Sequence, residues 1–219
     1  VKPLKKPTKS EKAYQGIKKL IISGGFSGGR HWSFRTLAQR FRISVAPVTE
    51  AVRRLEQEGI LTVKPRQGIA VKRLSHREIY EYTVLREGIE IQAARVLTLR
   101  GGEVDMKALD CFAKEIHRLV QEGSFDEAAY QDYLLHRELV SRAGLPYLLK
   151  QFESLAVILF LTQDGWTSSV FTGELETKQG LHEELILAIR SRDPETAERA
   201  IREHIRSISS REREAGNYE

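Results

Sequence analysis

The stretch "SFRTLAQRFRISVAPVTEAVRRLEQEGILTVKPRQGIAV", residues 33–71, decides how the first third of the chain folds. Ser33 stands where a helix N-cap belongs, since its hydroxyl can accept from free backbone N–H groups. Behind it, "FRTLAQRF" predicts a short helix with Leu37, Ala38 and Phe41 inward. "RIS" reads as a tight turn that ends at Ser44 or Val45. Pro47 then falls in the first turn of the next helix, where its missing N–H would have had no intrahelical partner. Val48, Val52 and Leu55 follow at helical spacing and point inward, while Thr49, Arg53 and Glu56 lie elsewhere on the helix. Gly59 ends it. Two short β-rich runs, "ILTVK" and "IAVKR", flank "PRQG", a turn sequence with proline and glycine.

Upstream, "EKAYQGIKKLII" (11–22) places Ala13, Ile17, Leu20 and Ile21 on one helical face, and the glycines of "SGGFSGGR" stop that helix. Two short helices, a proline-started third and a basic hairpin make a winged helix-turn-helix. Its third helix is expected in a DNA major groove, and the hairpin on backbone or minor groove. Charge agrees. Residues 1–75 hold 9 Lys and 8 Arg against 4 Glu and no Asp, a net +13, although the whole chain carries only +5. The remainder is therefore at −8. A basic third joined to an acidic remainder predicts two modules, the first binding a polyanion. The expected division is a basic flexible arm at 1–10, a DNA-binding domain at 11–74, a helical domain at 75–212 and a tail at 213–219. The arm, "VKPLKKPTKS", either follows phosphates or stays a solvated tail.

The longest apolar run, "LAVILFL" at 155–161, is far short of a membrane span. The basic N-terminus has no apolar segment behind it, so no secretory signal is expected. A single cysteine, Cys111, excludes an intrachain disulfide and fits a reducing, cytoplasmic setting.

From Ser75 the pattern is helical throughout, with helices expected near 76–99, 103–121, 125–142, 146–163, 174–191 and 194–212. "SHRE" (75–78) and "SFDE" (124–127) read as capping boxes, and "DPET" (193–196) caps with aspartate and puts proline at the first helical position. The fold class is mainly α: a winged helix-turn-helix followed by an all-helical antiparallel bundle. On the helix at 125–142, Asp132 and His136 share the face of Ala128, Leu135 and Leu139. His182 shares a face with Leu185, Ile186 and Ile189, and His204 with Ile201, Ile205 and Ile208. An aspartate and three histidines thus point from three helices into one apolar interior. A buried carboxylate is costly unless paired or metal-bound, and imidazole nitrogens with one carboxylate suit a divalent transition metal such as Zn, Ni, Mn or Fe. His31, His76 and His117 show no comparable pattern.

Residues 11–73 resemble the DNA-binding domain of the GntR family of bacterial transcription regulators, through a polar turn before "LA", the pattern "S-x-x-PV-x-EA-x-x-RLE-x-EG" and a wing ending in glycine. Residues 76–212 resemble the FCD ligand-binding domain of the FadR-type branch, through "DYLLH", "LHEELILAI" and "REHI" in order and spacing. Six helices are closer to its shorter, VanR-like subgroup. The resemblance implies a homodimeric, ligand-responsive regulator, a repressor in the commoner case, that binds double-stranded operator DNA. It implies DNA contacts at Arg35, Ser44, Val45, Ala46, Thr49, Arg53, Lys64, Arg66 and Gly68. Val45 and Thr49 stand where the family usually carries arginine, so an atypical operator is expected: Thr49 and Ala46 can meet a thymine methyl but cannot make arginine's bidentate guanine contact. In the helical domain the resemblance implies a metal at Asp132, His136, His182 and His204 that holds a small carboxylate effector. "LREGIEIQAA" resembles the family's first helix, with Arg86 and Glu90 at positions tied to the pocket or the domain contact. Arg86, Tyr133 and Gln163 are the candidate effector contacts, with Trp166 a further lining residue. Where many relatives place effector-binding arginines, 151–163 has none, which favours a monocarboxylate or a more apolar ligand.

Two other readings stand beside this one. A metal with an open position can activate water, as in a metal-dependent hydrolase, but no second carboxylate is clearly placed as general base and the +13 would be unexplained. Alternatively, the metal of a DNA-binding protein can be purely structural. The expectation is a regulator and not an enzyme.

Overall fold

The computed structural model describes residues 7–22, 25–26, 32–72, 74–100, 106–161 and 181–214. The chain divides after Arg73 into two compact units.

The first unit holds α1 (Lys9–Ile22), α2 (Phe34–Phe41), α3 (Val45–Gln57), β1 (Leu61–Lys64) and β2 (Gly68–Val71). Ser33 caps α2: its hydroxyl accepts from the Thr36 amide while the Thr36 hydroxyl accepts from the Ser33 amide. Arg42 closes α2 in a left-handed conformation at φ 54°. The chain then re-enters helix at Val45, so Pro47 is the third helical residue and disturbs no helical hydrogen bond. Ser44 has the extended backbone of a cap but makes no side-chain capping bond. Val48, Val52 and Leu55 pack against Ala13, Ile17 and Leu37, all fully buried. A polar clamp reinforces α1 on α3. The Arg54 guanidinium lies 3.7 Å from the Tyr14 ring centroid and pairs with Glu11 and Glu58, and the Tyr14 hydroxyl donates to Glu58 at 2.6 Å. β1 and β2 form an antiparallel hairpin in the register Leu61 to Val71 and Lys64 to Gly68. Its turn carries two left-handed residues, Arg66 at φ 63° and Gly68 at φ 86°. Trp32 bridges onto this wing at Ile69.

The second unit, among the described residues, is helical: α4 (His76–Arg100), α5 (Lys107–Gln121), α6 (Phe125–Arg142), α7 (Pro146–Leu161), α8 (Leu181–Arg190) and α9 (Pro194–Glu214). Ser75 and Glu78 form the expected capping box, and Asp193 accepts from the amides of Glu195 and Thr196. Ser124 does not cap as its sequence suggested. Its backbone, at φ −86° and ψ 63°, lacks the extended shape that aims a hydroxyl at the third amide, so no side-chain bond forms. The helix expected from 103 begins at Lys107, with 101–105 outside the described residues. Of the helix expected at 174–191, only Leu181–Arg190 lies within them. Short turns after α5, α6 and α8 fold each helix back on its predecessor, and α4 packs along α9. The core is Leu97, Leu109, Ile116, Leu135, Leu139, Phe152, Leu185, Ile186, Ile201 and Ile205.

Candidate functional site

Burying Leu135 and Leu139 fixes the rotation of α6, and that rotation turns Asp132 and His136 inward with them. Leu185, Ile186 and Ile189 do the same for His182 on α8, and Ile201 and Ile205 for His204 on α9. The four side chains meet: one ligand atom from each lies within 4.8 Å of all the others. His136 Nε2 is 3.0 Å from His204 Nε2, His182 Nε2 is 2.8 Å from Asp132 Oδ1, and His136 Nε2 is 3.5 Å from that oxygen. All three imidazoles are buried.

These spacings are those of donors around one ion. Ligands about 2.1 Å from a common metal stand roughly 3.0 Å apart at a right angle and roughly 3.4 Å apart in a tetrahedron. All separations lie within 4.8 Å, at most about 0.6 Å beyond the roughly 4.2 Å of ligands on opposite sides of one ion. Three nitrogens and one carboxylate oxygen also suit a divalent transition metal in kind.

The electrostatics agree. Burial pulls the His136 pKa down, but the Glu90 and Asp132 carboxylates outweigh it and raise it to about 9. Burial, then the charges of His182 and His136, push His204 well below the usual histidine range. Burial works to raise Asp132, yet His136 and His182 hold it well below the usual carboxylate range. Positive charge is wanted at the centre of the cluster, and three crowded imidazoles cannot all supply it as protons. A metal cation held by these four residues would supply it without a proton.

Glu90 was tied by the family resemblance to the pocket or the domain contact, without an assigned partner. It is fully buried on α4, with Oε2 2.6 Å from His136 Nδ1 and Oε1 2.5 Å from Arg86 Nε. Burial would raise its pKa; Arg86 and then His136 outweigh that and keep it ionised. The available signal was a glutamate next to the apolar face of Ile91, Ala94 and Leu97, one helical turn from an arginine. Arg86, named as an effector contact, is thus engaged by Glu90. Tyr133 stacks on Phe152, with centroids 6.3 Å apart, and burial followed by Glu153 raises its hydroxyl to about 12. Gln163 and Trp166 lie outside the described residues, as does His31.

On the first unit, Ala46, Thr49, Glu50, Arg53, Arg54 and Gln57 line a shallow concavity along the outer face of α3. Ser44, Val45, Ala46 and Arg53 are exposed there, as are Arg35 on α2 and Lys64 and Arg66 on the wing. Arg35, Arg53, Lys64 and Arg66 form no ion pair among the described residues, leaving their charges for a partner. Arg54 is committed to Glu11, Glu58 and Tyr14. The Thr49 hydroxyl donates to the Val45 carbonyl at 3.1 Å, which leaves its methyl and oxygen lone pair for contact.

Residues 9–71 match the bacterial regulatory proteins of the gntR family, and residues 78–207 match the FCD domain. The chain belongs to the GntR family of transcriptional regulators. It is 27% identical over 198 residues to the HTH-type transcriptional repressor GlaR of Escherichia coli K12, covering 88% of this chain and 90% of GlaR. It is 22% identical over 200 residues to the repressor RspR of the same organism, covering 91% and 87%. Among solved structures, E. coli McbR/YncC superposes with a TM-score of 0.84 at 19% identity, covering 96% of this chain and 99% of that one. That likeness is one of fold. The family consists of regulators, not enzymes, and the winged helix is this regulator's DNA-binding domain. No described helix is long and apolar enough to cross a membrane.

Proposed function

We propose that this regulator is a metal-dependent sensor that represses transcription. Asp132, His136, His182 and His204 hold a divalent transition metal, and the metal holds a small carboxylate-bearing metabolite. The convergence of four ligand atoms from three helices in an apolar core carries this reading. A bound divalent metal supplies a Lewis-acidic position that takes a carboxylate oxygen. Arg86 adds positive charge beside it, and Tyr133 and Gln163 complete the effector contacts. The helical domain pairs two copies in the cytoplasm, which suits an operator with two-fold symmetry. Arg35, Ser44, Arg53, Lys64, Arg66 and Gly68 meet the DNA backbone and wing groove. Val45, Ala46 and Thr49 offer apolar contact to base edges. The effector acts by shifting the population of DNA-competent dimers.

Metal analysis of protein purified without chelator tests the centre. The expected result is about one divalent ion per chain, lost in Asp132→Ala and His204→Ala. Uptake untouched by either change overturns the site. Operator affinity that ignores every carboxylate shown to bind overturns the sensor.

A further inference from the structure

Glu90 poses a problem of energetics. An ionised carboxylate at 0% exposure, on a helix that also buries Ile91, Ala94 and Leu97, is costly before its partners are counted. An apolar residue would fill the same place. Both oxygens are used, however, and by different partners. Oε1 takes Arg86 Nε, and Oε2 takes His136 Nδ1. The first contact compensates the charge. The second dictates the state of a ring.

An ionised carboxylate can only accept hydrogen bonds, so in a His136 ring made neutral by binding a metal the hydrogen must sit on Nδ1. Nε2 then carries its lone pair toward Asp132 and His204, at 3.5 and 3.0 Å. A ring turned over about its Cβ–Cγ bond would lose the Glu90 contact and present the wrong edge to the cluster. From this geometry we infer that Glu90, locked by Arg86, is the positioning residue of the metal centre, holding His136 with Nε2 as its ligand atom. The inference rests on the metal reading above. Among the described residues, a hydrogen bond sets a non-ligand carboxylate behind His136, whereas the carboxylate that His182 meets is the ligand Asp132, at Nε2. The effect of Glu90 is read at the His136 ring. The Glu90 charge also strengthens that imidazole as a donor, as carboxylates behind ligand histidines do.

The experiment uses the full chain with zinc as the probe. Zinc affinity is measured by competition with a chromophoric chelator, and the His136 ring in the zinc-loaded protein is followed by nitrogen-15 NMR. Wild type is expected to show a slowly exchanging proton on Nδ1. Glu90→Leu is expected to lose that proton and weaken zinc binding by about 10- to 100-fold. Glu90→Gln, which keeps an accepting oxygen, is expected to recover part of both. If Glu90→Leu does not fold, the near-isosteric Glu90→Gln carries the test through a smaller loss of zinc affinity at unchanged helical content. Zinc affinity in Glu90→Gln and in any folded Glu90→Leu within twofold of wild type, with the Nδ1 proton still protected, overturns the positioning role and leaves the metal centre standing. Failure of wild type to bind zinc overturns the centre itself, and this inference with it.

Discussion

The Trp32 carbonyl accepts a 2.7 Å hydrogen bond from the Ile69 amide, and the chain reaches that contact through Gly68. A Cβ on Gly68 would stand 2.4 Å from the Trp32 oxygen, at a φ of +86° that side chains rarely adopt. Gly68→Ala is therefore expected to destabilise the winged helix by about 1–3 kcal/mol, the range of such backbone strain. Urea unfolding followed by Trp fluorescence measures it. Gly88 is the contrast: it sits on an exposed helical face, and a Cβ added there would meet nothing within 4 Å. Gly88→Ala is expected to stabilise the protein by about 0.5–1 kcal/mol.

The Thr49 hydroxyl spends its proton on the Val45 carbonyl, so on the proposed DNA face this turn of α3 presents a methyl and a lone pair. Thr49→Val, which keeps a methyl, is expected to leave operator affinity within a few-fold. Val45→Arg with Thr49→Arg is expected to move the preferred sequence toward guanine, by about 1–3 kcal/mol for each bidentate pair formed. Selection from a randomised operator library reads the change; an unaltered consensus in the double variant contradicts it.

Arg53 is exposed and without an ion pair among the described residues. Arg53→Ala is expected to weaken binding to all sequences alike and to lower the salt-dependence slope by about one unit. Fluorescence anisotropy across a salt series measures both, and a loss confined to one operator would mean a base contact instead.

Leu139 is fully buried in the helical core, one turn along α6 from His136. Leu139→Ala is expected to destabilise the helical domain by about 2–5 kcal/mol. Chemical denaturation measures this, and zinc should shift the midpoint upward in wild type and variant alike.

Asp193 gives a pH signature. The Thr196 side chain, then the Glu195 amide, lower its folded pKa below the ordinary aspartate value. A depressed carboxyl stabilises the fold above the unfolded pKa and loses that contribution as pH falls through the folded one. Wild type should thus melt above Asp193→Ala at neutral pH, and the two melting temperatures should converge in acid. A gap that stays constant with pH contradicts the cap.

The start of α3 was readable because Pro47 tolerates few places and Val48, Val52 and Leu55 recur at helical spacing. The meeting of Asp132, His136, His182 and His204 was readable for the same reason: each shares a face with residues that must be buried. Glu90 was flagged only through the family resemblance; its contact to His136 escaped because that partner lies 46 residues away on α6, and a buried glutamate has the same letter as a solvated one. Ser124 misled because its letters fit a capping box, whereas capping depends on a backbone conformation that its neighbours impose.

Arg66 sits left-handed in the wing turn, where glycine would rest without strain. Arg66→Gly would therefore relax the turn, and the same change would remove an exposed cation from the proposed DNA face. The wing turn thus couples two properties at one position, its own backbone ease and the charge it presents.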